Sequence, residues 1–310
     1  MIEAQILVGD CLDVLPTLPA GSIQCCVTSP PYWGLRDYDC HEQLGLEPTI
    51  EEYLSNMVSV FLEVWRVLRD DGTLWVNMGD SYNSQPGQRK PDDKIGWKQS
   101  TNRGSNDVGS RNCPGLKPKD LCGIPWRLAF ALQSDGWYLR SDIIWSKKNP
   151  MPESVTDRPT KAHEYIFLLS KQERYYYDAE AIRELATPQQ RTGDNGYQCP
   201  ADIALAKTGK RHGPTQLNGP SGEFRNKRSV WTVATQPYAE AHFATFPEDL
   251  IKPCILAGTK LGDTVLDPFA GSGTTGKVAL ELGRSAILIE LNPAYAEMAR
   301  DRTNVTPGFL

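Results

Sequence analysis

The sequence has few of the cysteine and histidine patterns that bind metal ions. Its 310 residues include only four histidines, and its eight cysteines form no C-x-x-C pair and share no metal-ligand spacing with those histidines. We therefore predict no metal site. Free thiols in a reducing cytoplasm are the simplest interpretation of the cysteines, because disulfides persist mainly in oxidising compartments.

Long apolar runs and an excess of positive charge are also missing. No run approaches the roughly 20 apolar residues of a membrane-spanning helix, and the first ten residues, MIEAQILVGD, lack the features of a signal peptide. We therefore predict a cytoplasmic protein that does not associate with membranes. The formal net charge of −5 does not by itself favour a nucleic-acid partner, so such a partner would have to be recognised through local charge.

The sequence does contain apolar strand-like runs that alternate with amphipathic segments. IQCCVTS (residues 23–29), TLWVNMGD (73–80) and SAILIE (285–290) are typical of buried strands. Between the first two, apolar residues recur at steps of three and four over residues 51–68, which predicts a helix that packs one face on a sheet. The alternation predicts an α/β fold with a doubly wound, mostly parallel sheet.

Two stretches interrupt this alternation. Residues 83–120 and 186–230 are rich in glycine, proline, asparagine and serine and show no apolar period, so we predict two long loop insertions. Both are locally basic, and the first is predicted to be a flexible insertion. In the second, basic residues are interleaved with aromatic ones, which suits contacts with DNA phosphates. The candidates are Arg191, Lys210, Arg211, Arg225, Lys227 and Arg228.

A glycine-rich turn follows a predicted strand in VLDPFAGSGTTGKVALELG (residues 265–283). A strand, a glycine turn and a helix start in succession let backbone amides approach a ligand at the carboxyl edge of a sheet. Glu290 ends the next strand, where an acid can accept hydrogen bonds from both ribose hydroxyls of an adenosine-containing cofactor. A phosphate loop is the alternative, because Gly271, Gly276 and Lys277 have its spacing, but Val278 stands where a magnesium-binding hydroxyl is needed.

The segment TSPPYWGLRDY (residues 28–38) places two prolines directly after a predicted strand, where they stop both helix and sheet. Together with DPFAGSGTT and IELN downstream, it resembles the S-adenosylmethionine-dependent DNA amino-methyltransferases, which methylate an exocyclic base nitrogen. The order of the motifs resembles the permuted, beta-type arrangement of that family. The resemblance runs through most of the chain and implies a single Rossmann-like methyltransferase domain over residues 1–310, with residues 186–230 in the place of the target-recognition region.

The resemblance implies roles for Ser29, Pro30, Pro31 and Tyr32. An exocyclic amino group is a poor nucleophile because its lone pair is delocalised into the ring. The Ser29 oxygen and the Pro30 carbonyl would each accept one amino hydrogen and turn the lone pair toward the methyl group. Pro31 would stiffen this segment, and Tyr32 would stack on a base that has been flipped out of the duplex.

The cofactor implied by the resemblance is S-adenosyl-L-methionine. Asp10 would contact its adenine ring, Thr274 and Thr275 its methionine carboxylate, and Thr245 and Phe246 would close over its methionine end. The full set of predicted cofactor-binding residues is Asp10, Thr245, Phe246, Asp267, Phe269, Gly271, Gly273, Thr274, Thr275, Glu290 and Asn292.

The predicted function is site-specific methylation of double-stranded DNA, within or outside a restriction-modification system. In the resembled family, serine at the position of Ser29 is commoner in enzymes that act on cytosine N4, and aspartate in those that act on adenine N6. The resemblance therefore favours cytosine N4, but both amino groups need the same acceptor geometry, so adenine N6 stays open. A homodimer or higher homo-oligomer is expected from the resemblance alone. Two other hypotheses remain at this stage: an NTP-binding nucleic-acid protein that uses the phosphate loop, and a DNA-binding module that has lost its activity.

Overall fold

The computed structural model describes residues 2–34, 40, 43–83, 113, 115–186, 224–236 and 246–304. Six α-helices lie in these ranges. They are α1 (Cys11–Val14), α2 (Ile50–Val67), α3 (Ile124–Ser134), α4 (Glu248–Gly258), α5 (Thr274–Glu281) and α6 (Pro293–Thr303). No helix in the described part of the chain has the length and apolar content needed to cross a bilayer.

Eight strands of the described chain form one sheet, and two short strands form a separate pair. The strands are β1 (Ala4–Val8), β2 (Ile23–Thr28), β3 (Leu68–Met78), β4 (Tyr138–Lys147), β5 (His163–Ser170), β6 (Glu184–Leu185), β7 (Phe224–Arg225), β8 (Val230–Val233), β9 (Thr264–Asp267) and β10 (Ser285–Glu290). The large sheet has the order β1-β10-β9-β2-β3-β5-β4-β8, and β6 pairs with β7. Only β5 runs antiparallel to its neighbours in the large sheet.

Helices cover both faces of the large sheet, and each face has its own apolar core. One core includes Phe61 of α2 and Leu128 of α3, and the other includes Ile255 of α4 and Ala299 of α6. β2, in the middle of the sheet, is buried along its whole length because it is covered from both sides. The prediction of a doubly wound, mostly parallel α/β sheet is therefore confirmed.

Helix α2 shows why the sequence folds as the periodicity predicts. Thr49 caps it by accepting a hydrogen bond from the Glu52 amide at 3.2 Å, and two acidic residues in the first turn face the positive end of the helix dipole. One face is fully buried, including Met57 and Phe61. The strand predicted over residues 73–80 begins five residues earlier in the structure. β3 starts at Leu68, which pairs with Ile23 before a register shift.

The parallel strands bring distant parts of the sequence to one edge of the sheet. Asp10, Ser29, Gly79, Asp267 and Glu290 all lie at or just beyond the carboxyl end of a strand, and the five strands concerned are parallel neighbours. The amino end of β5 lies at the same edge because β5 runs the opposite way. Ligands of doubly wound folds bind at this edge.

Most residues of the two predicted insertions lie outside the described residues, but their ends are described. The Asn83 side chain joins both ends of the first, since it accepts from the Cys113 amide at 2.9 Å and donates to the carbonyls of Leu116 and Lys117. The two ends of the second insertion are joined by antiparallel pairing between β6 and β7.

Candidate active site

The segment that links β9 to α5, residues 268–273, is called the glycine turn here, and it is organised by the carboxylate of Asp267. This side chain is only 1% exposed. One of its oxygens accepts from the Thr28 hydroxyl at 2.7 Å and from the Phe269 amide at 3.1 Å, and the other accepts from the Thr275 hydroxyl at 2.6 Å. The carboxylate therefore ties β2 and α5 to the turn.

Burial raises the pKa of Asp267 from 3.8 to about 6, while the hydrogen bonds from Thr275, Thr28 and the Phe269 amide lower it. The structure thus gives Asp267 and Thr275 partners inside the protein. Asp267 shapes the turn. Thr275 is 0% exposed, and its hydroxyl donates a hydrogen bond to Asp267. The side chain of this helix residue points into the core, and contact between Thr275 and a methionine carboxylate stays a prediction.

Gly273 caps the start of α5 in the left-handed region, with φ of 81°. A Cβ at this position would lie 2.7 Å from the Cβ of Ala299 in α6, so only glycine allows the turn to pack this closely on α6. The first amides of α5 have no acceptor within the helix, and they point toward the carboxyl edge of the sheet. The predicted arrangement of strand, glycine turn and helix is present.

Thr274 and Ser272 are held by Arg302 of α6. Its guanidinium donates to both hydroxyls, at 3.0 and 2.9 Å, and also pairs with Glu248 at 3.1 Å. Like Thr275, Thr274 was predicted to bind the methionine carboxylate, and the structure gives its hydroxyl a partner in the protein.

Lys277 lies in the same network and does not face the glycine turn. Its ammonium group is 2.7 Å from Glu248 and 3.6 Å from Glu281, and the hydrogen bond to Glu248 raises its pKa. A phosphate-loop lysine must reach over its loop to the phosphates. The geometry therefore does not support the phosphate-loop alternative.

Glu290 ends β10 beside the glycine turn and binds both flanking loops. One carboxylate oxygen accepts from the Gly271 amide at 2.7 Å, and the other accepts from the Asn292 amide at 2.8 Å. Burial raises the pKa of Glu290, and these two amides oppose the rise. A carboxylate offers about four acceptor positions, so one direction on each oxygen remains for a pair of ribose hydroxyls.

Three other predicted cofactor residues lie at or near this edge. Asp10 follows β1 and caps α1 through the Leu12 amide at 2.7 Å, and the neighbouring Gly9 amide donates to the Glu290 carbonyl at 3.0 Å. Asn292 caps α6 through the Ala294 amide at 2.9 Å. Phe246 packs on the core under α4. Thr245 lies outside the described residues.

The second loop at this edge, residues 29–34, follows β2 and is called the proline turn here. The Pro31 carbonyl accepts from the Tyr53 hydroxyl of α2 at 2.8 Å, so the turn is tied to a helix and not to a sheet partner. The ring of Tyr32 lies on the end of β3, where a Cβ on Gly79 would come within 2.8 Å of it. Tyr32, Trp33, Gly79, Ser81 and Ile124 are among the residues lining a small depression here.

The Tyr32 hydroxyl lies in a polar cluster that comes from three other strands. It is 2.9 Å from a carboxylate oxygen of Glu164 on β5, 3.3 Å from Oδ1 of Asn77 on β3, and 3.4 Å from Oγ of Ser29. Lys147 on β4 donates to the other oxygen of Glu164. Both charged side chains are largely buried, with 15% of Glu164 and 21% of Lys147 exposed.

Asp80 and Lys161 add charge next to this cluster. Asp80 is 3% exposed in its side chain and accepts from the amides of Ser81 and Ile124 at 2.9 and 3.1 Å. Lys161 is 4.0 Å from Asp80, and burial lowers its pKa while Asp80 and Glu164 oppose this. The described residues contain no group of three metal-ligating side chains.

The described members of the predicted DNA-contacting set lie away from the proline turn. Arg225 and Arg228 both pair with Glu184, and Lys227 lies 5.1 Å from the centre of the Trp231 ring. They precede β8, whose carboxyl end lies at the ligand edge. The five residue-to-residue steps from Arg228 to Val233 span about 17 Å. Their contact with DNA stays a prediction. Arg191, Lys210 and Arg211 lie outside the described residues.

Several site residues were not predicted as such. No role was predicted for Asn77, Lys147 or Glu164. They lie in the stretches GTLWVNMGD, WSKKNPMP and HEYIFLLSK, which belong to the part of the chain that the family resemblance covers. Their convergence on Tyr32 depends on strand register. Thr28 and Arg302 were also missed, because their partners are far away in the sequence.

The fold and the site define an α/β protein of the Rossmann-like methyltransferase class, with the glycine turn beside the proline turn at one edge of the sheet. A family model described as a DNA methylase matches residues 23–301. The chain belongs to this N6/N4 DNA methylase family, whose members are S-adenosylmethionine-dependent DNA amino-methyltransferases. The methylase prediction is thereby confirmed, and the NTP-binding hypothesis is wrong.

Curated relatives agree with this assignment. The type II methyltransferase M.Cfr9I of Citrobacter freundii is 52% identical over 300 residues, which are 96% of this chain and 87% of the relative. The type II methyltransferase M.SmaI of Serratia marcescens is 46% identical over 303 residues, 97% of this chain and 90% of the relative.

Solved structures share the fold. The PvuII DNA methyltransferase, described as cytosine-N4-specific, matches with a TM-score of 0.64 and 20% identity, over 98% of this chain and 88% of the other. A protein from Thermus thermophilus, solved in complex with S-adenosyl-L-methionine, matches with a TM-score of 0.59 and 24% identity, over 99% of this chain and 96% of that one.

Proposed function

We propose that this DNA methylase transfers the methyl group of S-adenosylmethionine to N4 of cytosine in double-stranded DNA. The observation that carries the choice of base is Ser29, a neutral hydroxyl at the carboxyl end of β2 where adenine-N6 enzymes of the family more often have aspartate. A structure with the same fold is described as cytosine-N4-specific, which supports the same choice.

At the proline turn, we assign Ser29 Oγ and the Pro30 carbonyl as acceptors of the two amino hydrogens. Their hydrogen bonds would draw the nitrogen lone pair out of conjugation and aim it. The bond from Tyr53 to the Pro31 carbonyl supports this assignment, because it holds the turn in place without using Ser29 or Pro30. The base must leave the duplex to reach this turn, and the exposed part of the Tyr32 ring offers it a stacking surface.

At the glycine turn, we assign Glu290 to the two ribose hydroxyls and Asp10 to the adenine of the cofactor. The two backbone amides already on Glu290 fix its plane, so its remaining lone pairs have defined directions. The methionine carboxylate would meet backbone amides at the start of α5, because the hydroxyls of Thr274 and Thr275 are bound within the protein.

The reaction is a direct displacement, for which the bound cofactor supplies a sulfonium methyl carbon. The N–C bond forms while the C–S bond breaks, sulfur keeps the bonding electron pair, and the amino nitrogen then loses one proton to water. The residues of the two turns contribute alignment, which can lower a barrier by about 7–11 kcal/mol for well-oriented groups.

Further proposals concern partners and organisation. We propose that residues 1–310 form one methyltransferase domain, that residues 186–230 recognise the target sequence, and that the protein forms a homodimer or higher homo-oligomer. The relatives are named type II methyltransferases, so we propose a place in a restriction-modification system. Both relatives come from bacteria, whose DNA lies in the cytoplasm, so we propose that this protein acts in the cytoplasm.

Incubation of unmethylated DNA with the purified protein and deuterated-methyl S-adenosylmethionine tests the choice of base. After digestion to nucleosides, mass spectrometry should find labelled N4-methylcytosine. Labelled N6-methyladenine in its place would overturn the assignment of the base but not the reaction. No label on any nucleoside, although the cofactor binds, would identify a DNA-binding module without activity.

A further inference from the structure

The direction of the hydrogen bond at the Tyr32 hydroxyl follows from its neighbours. A tyrosine hydroxyl has one hydrogen to give, and three oxygens surround it, on Glu164, Asn77 and Ser29. The carboxylate of Glu164 is the nearest, at 2.9 Å, and hydrogen bonds to a charged acceptor are the stronger ones. The Tyr32 hydrogen therefore goes to Glu164.

Asn77 cannot supply a hydrogen to Tyr32. Its amide nitrogen donates to the Tyr165 carbonyl at 3.1 Å, so its oxygen is the atom that faces Tyr32. Of the three neighbours, Ser29 alone has a hydrogen that it can donate toward Tyr32. The contact of 3.4 Å is long for such a bond, and bonds of this kind in ligand-free sites often shorten when the substrate binds.

This direction decides what Ser29 can do to a substrate. A serine hydroxyl can either donate or accept. If Ser29 donated to the amino nitrogen, it would occupy the lone pair that must attack the methyl group. When its hydrogen is directed to Tyr32 instead, only the lone pairs of Ser29 Oγ face the substrate.

We infer that Glu164 is a positioning residue: through Tyr32 it orients the Ser29 hydroxyl so that Ser29 acts only as a hydrogen-bond acceptor. The inference rests on the proposed role of Ser29 and extends it to a residue on β5. It also explains how a neutral serine can serve where a carboxylate, which only accepts, would need no orientation.

Lys147 completes the arrangement. It binds the second oxygen of Glu164 and lies 4.7 Å from the centre of the Trp145 ring, so the carboxylate has a fixed partner on one side and Tyr32 on the other. Both members of the pair are mostly shielded from water. Such a pair fixes the position of the carboxylate, so that one of its oxygens stays where Tyr32 needs an acceptor.

The first test is Glu164→Gln, which keeps the shape of the side chain. The glutamine amide can present N–H to Tyr32 and reverse the direction of both hydrogen bonds. We expect the single-turnover rate of methyl transfer to fall about 10- to 100-fold, of the order that follows from misplacing a reacting group by 1 Å. Dissociation constants for S-adenosylmethionine and for DNA should not change. Glu63→Gln, which breaks an ion pair with Arg66 on α2, is the matched control and should leave all three quantities unchanged.

The second test is a double-mutant cycle with Tyr32→Phe, which removes the hydroxyl but keeps the ring that stacks on the base. Both changes interrupt the same series of hydrogen bonds, from Glu164 through Tyr32 to Ser29. The double variant should therefore be no slower than Tyr32→Phe alone. If the two losses multiply instead, Glu164 does not act through Tyr32 and the inference is wrong.

The outcomes separate this inference from the proposed function. A wild-type protein that methylates no amino group in DNA overturns the proposed function. A wild-type protein that is active, with Glu164→Gln equally fast, overturns only the inference about Glu164.

Discussion

The two turns of the active site are built from different kinds of contact. Two of the three hydrogen bonds that Asp267 makes at the glycine turn are local in sequence, from the Phe269 amide and the Thr275 hydroxyl, and the third comes from Thr28 on β2. The side chains around Tyr32 in the proline turn come from β3, β4 and β5. The comparison shows that a local sequence motif encodes much of the glycine turn, whereas the surroundings of Tyr32 depend on strand register.

The largest effect is expected at the glycine turn, for Gly273→Ala. The new Cβ would clash with Ala299, and alanine is strained at φ of 81°. We expect a loss of about 2–5 kcal/mol in the free energy of unfolding, the sum of the left-handed penalty and of overpacking. Urea denaturation measures it.

Gly271→Ala is the matched control for Gly273→Ala. It also has a positive φ, of 52°, but nothing lies within 4 Å of its Cβ position, so it should lose only the conformational part, about 1–2 kcal/mol. Equal losses for the two variants would mean that packing on α6 does not hold the turn.

The buried carboxylate of Asp267 should make stability depend on pH. Its pKa is raised in the folded protein from 3.8 to about 6, so the folded state binds the proton more tightly than the unfolded state. The free energy of unfolding should therefore fall by up to about 3 kcal/mol as pH rises from 4 to 6, and stay low above that.

Asp267→Asn cannot ionise and should lack this component of the pH dependence. Urea denaturation of both proteins at pH 4, 5, 6 and 7.5 gives the difference directly. If the two curves of stability against pH run parallel, the carboxylate is not responsible.

Glu290→Ala should affect cofactor binding more than any change in the proline turn. Hydrogen bonds to charged groups are worth about 1.5–3 kcal/mol, which corresponds to a rise of about 10- to 150-fold in the dissociation constant for S-adenosylmethionine. Isothermal titration calorimetry measures it, with Glu281→Ala on the exposed face of α5 as the control. If Glu290→Ala bound S-adenosylmethionine as tightly as the wild type, the assignment of Glu290 to the ribose hydroxyls would be wrong. Burial raises the pKa of Glu290, so its carboxylate should take up a proton at a higher pH than an exposed glutamate does, and the wild-type affinity should weaken as the pH falls.

Loss of the Tyr32 ring, measured as Tyr32→Ala against Tyr32→Phe, should have the opposite pattern and the smallest effect. Base stacking on an aromatic ring is worth about 1–3 kcal/mol, so methyl transfer in Tyr32→Ala should be about 5- to 150-fold slower than in Tyr32→Phe, while cofactor binding stays the same. A filter-binding assay that follows the transfer of a labelled methyl group to DNA measures the rate. A weaker affinity for S-adenosylmethionine in this variant would show that the two turns are not independent.

Much of the fold was predictable because burial leaves a periodic pattern. The helix over residues 51–68 and the strand SAILIE were found within a residue or two of their limits. The start of β3 was missed, because residues 68–72 contain three charged residues and a glycine, and in this stretch Leu68 alone pairs with β2, ahead of a register shift.

The candidate site was predictable to the extent that its motifs are local. Glu290 lies beside the glycine turn as the strand and turn order indicated. The partners of Thr274 and Thr275 were not predictable, because the side chains that bind them depend on how α6 and β9 pack.

The sequence by itself determined the doubly wound sheet and the glycine and proline turns, because apolar periodicity and glycine and proline positions act over short distances. Its motifs also carried the resemblance to the methylase family. Only the tertiary structure decided that Asp267 faces inward, that Lys147, Glu164 and Asn77 meet at Tyr32, and that Lys277 pairs with glutamates. These contacts depend on the register between strands and the packing of helices, which bring together side chains that are up to 239 residues apart, as for Thr28 and Asp267.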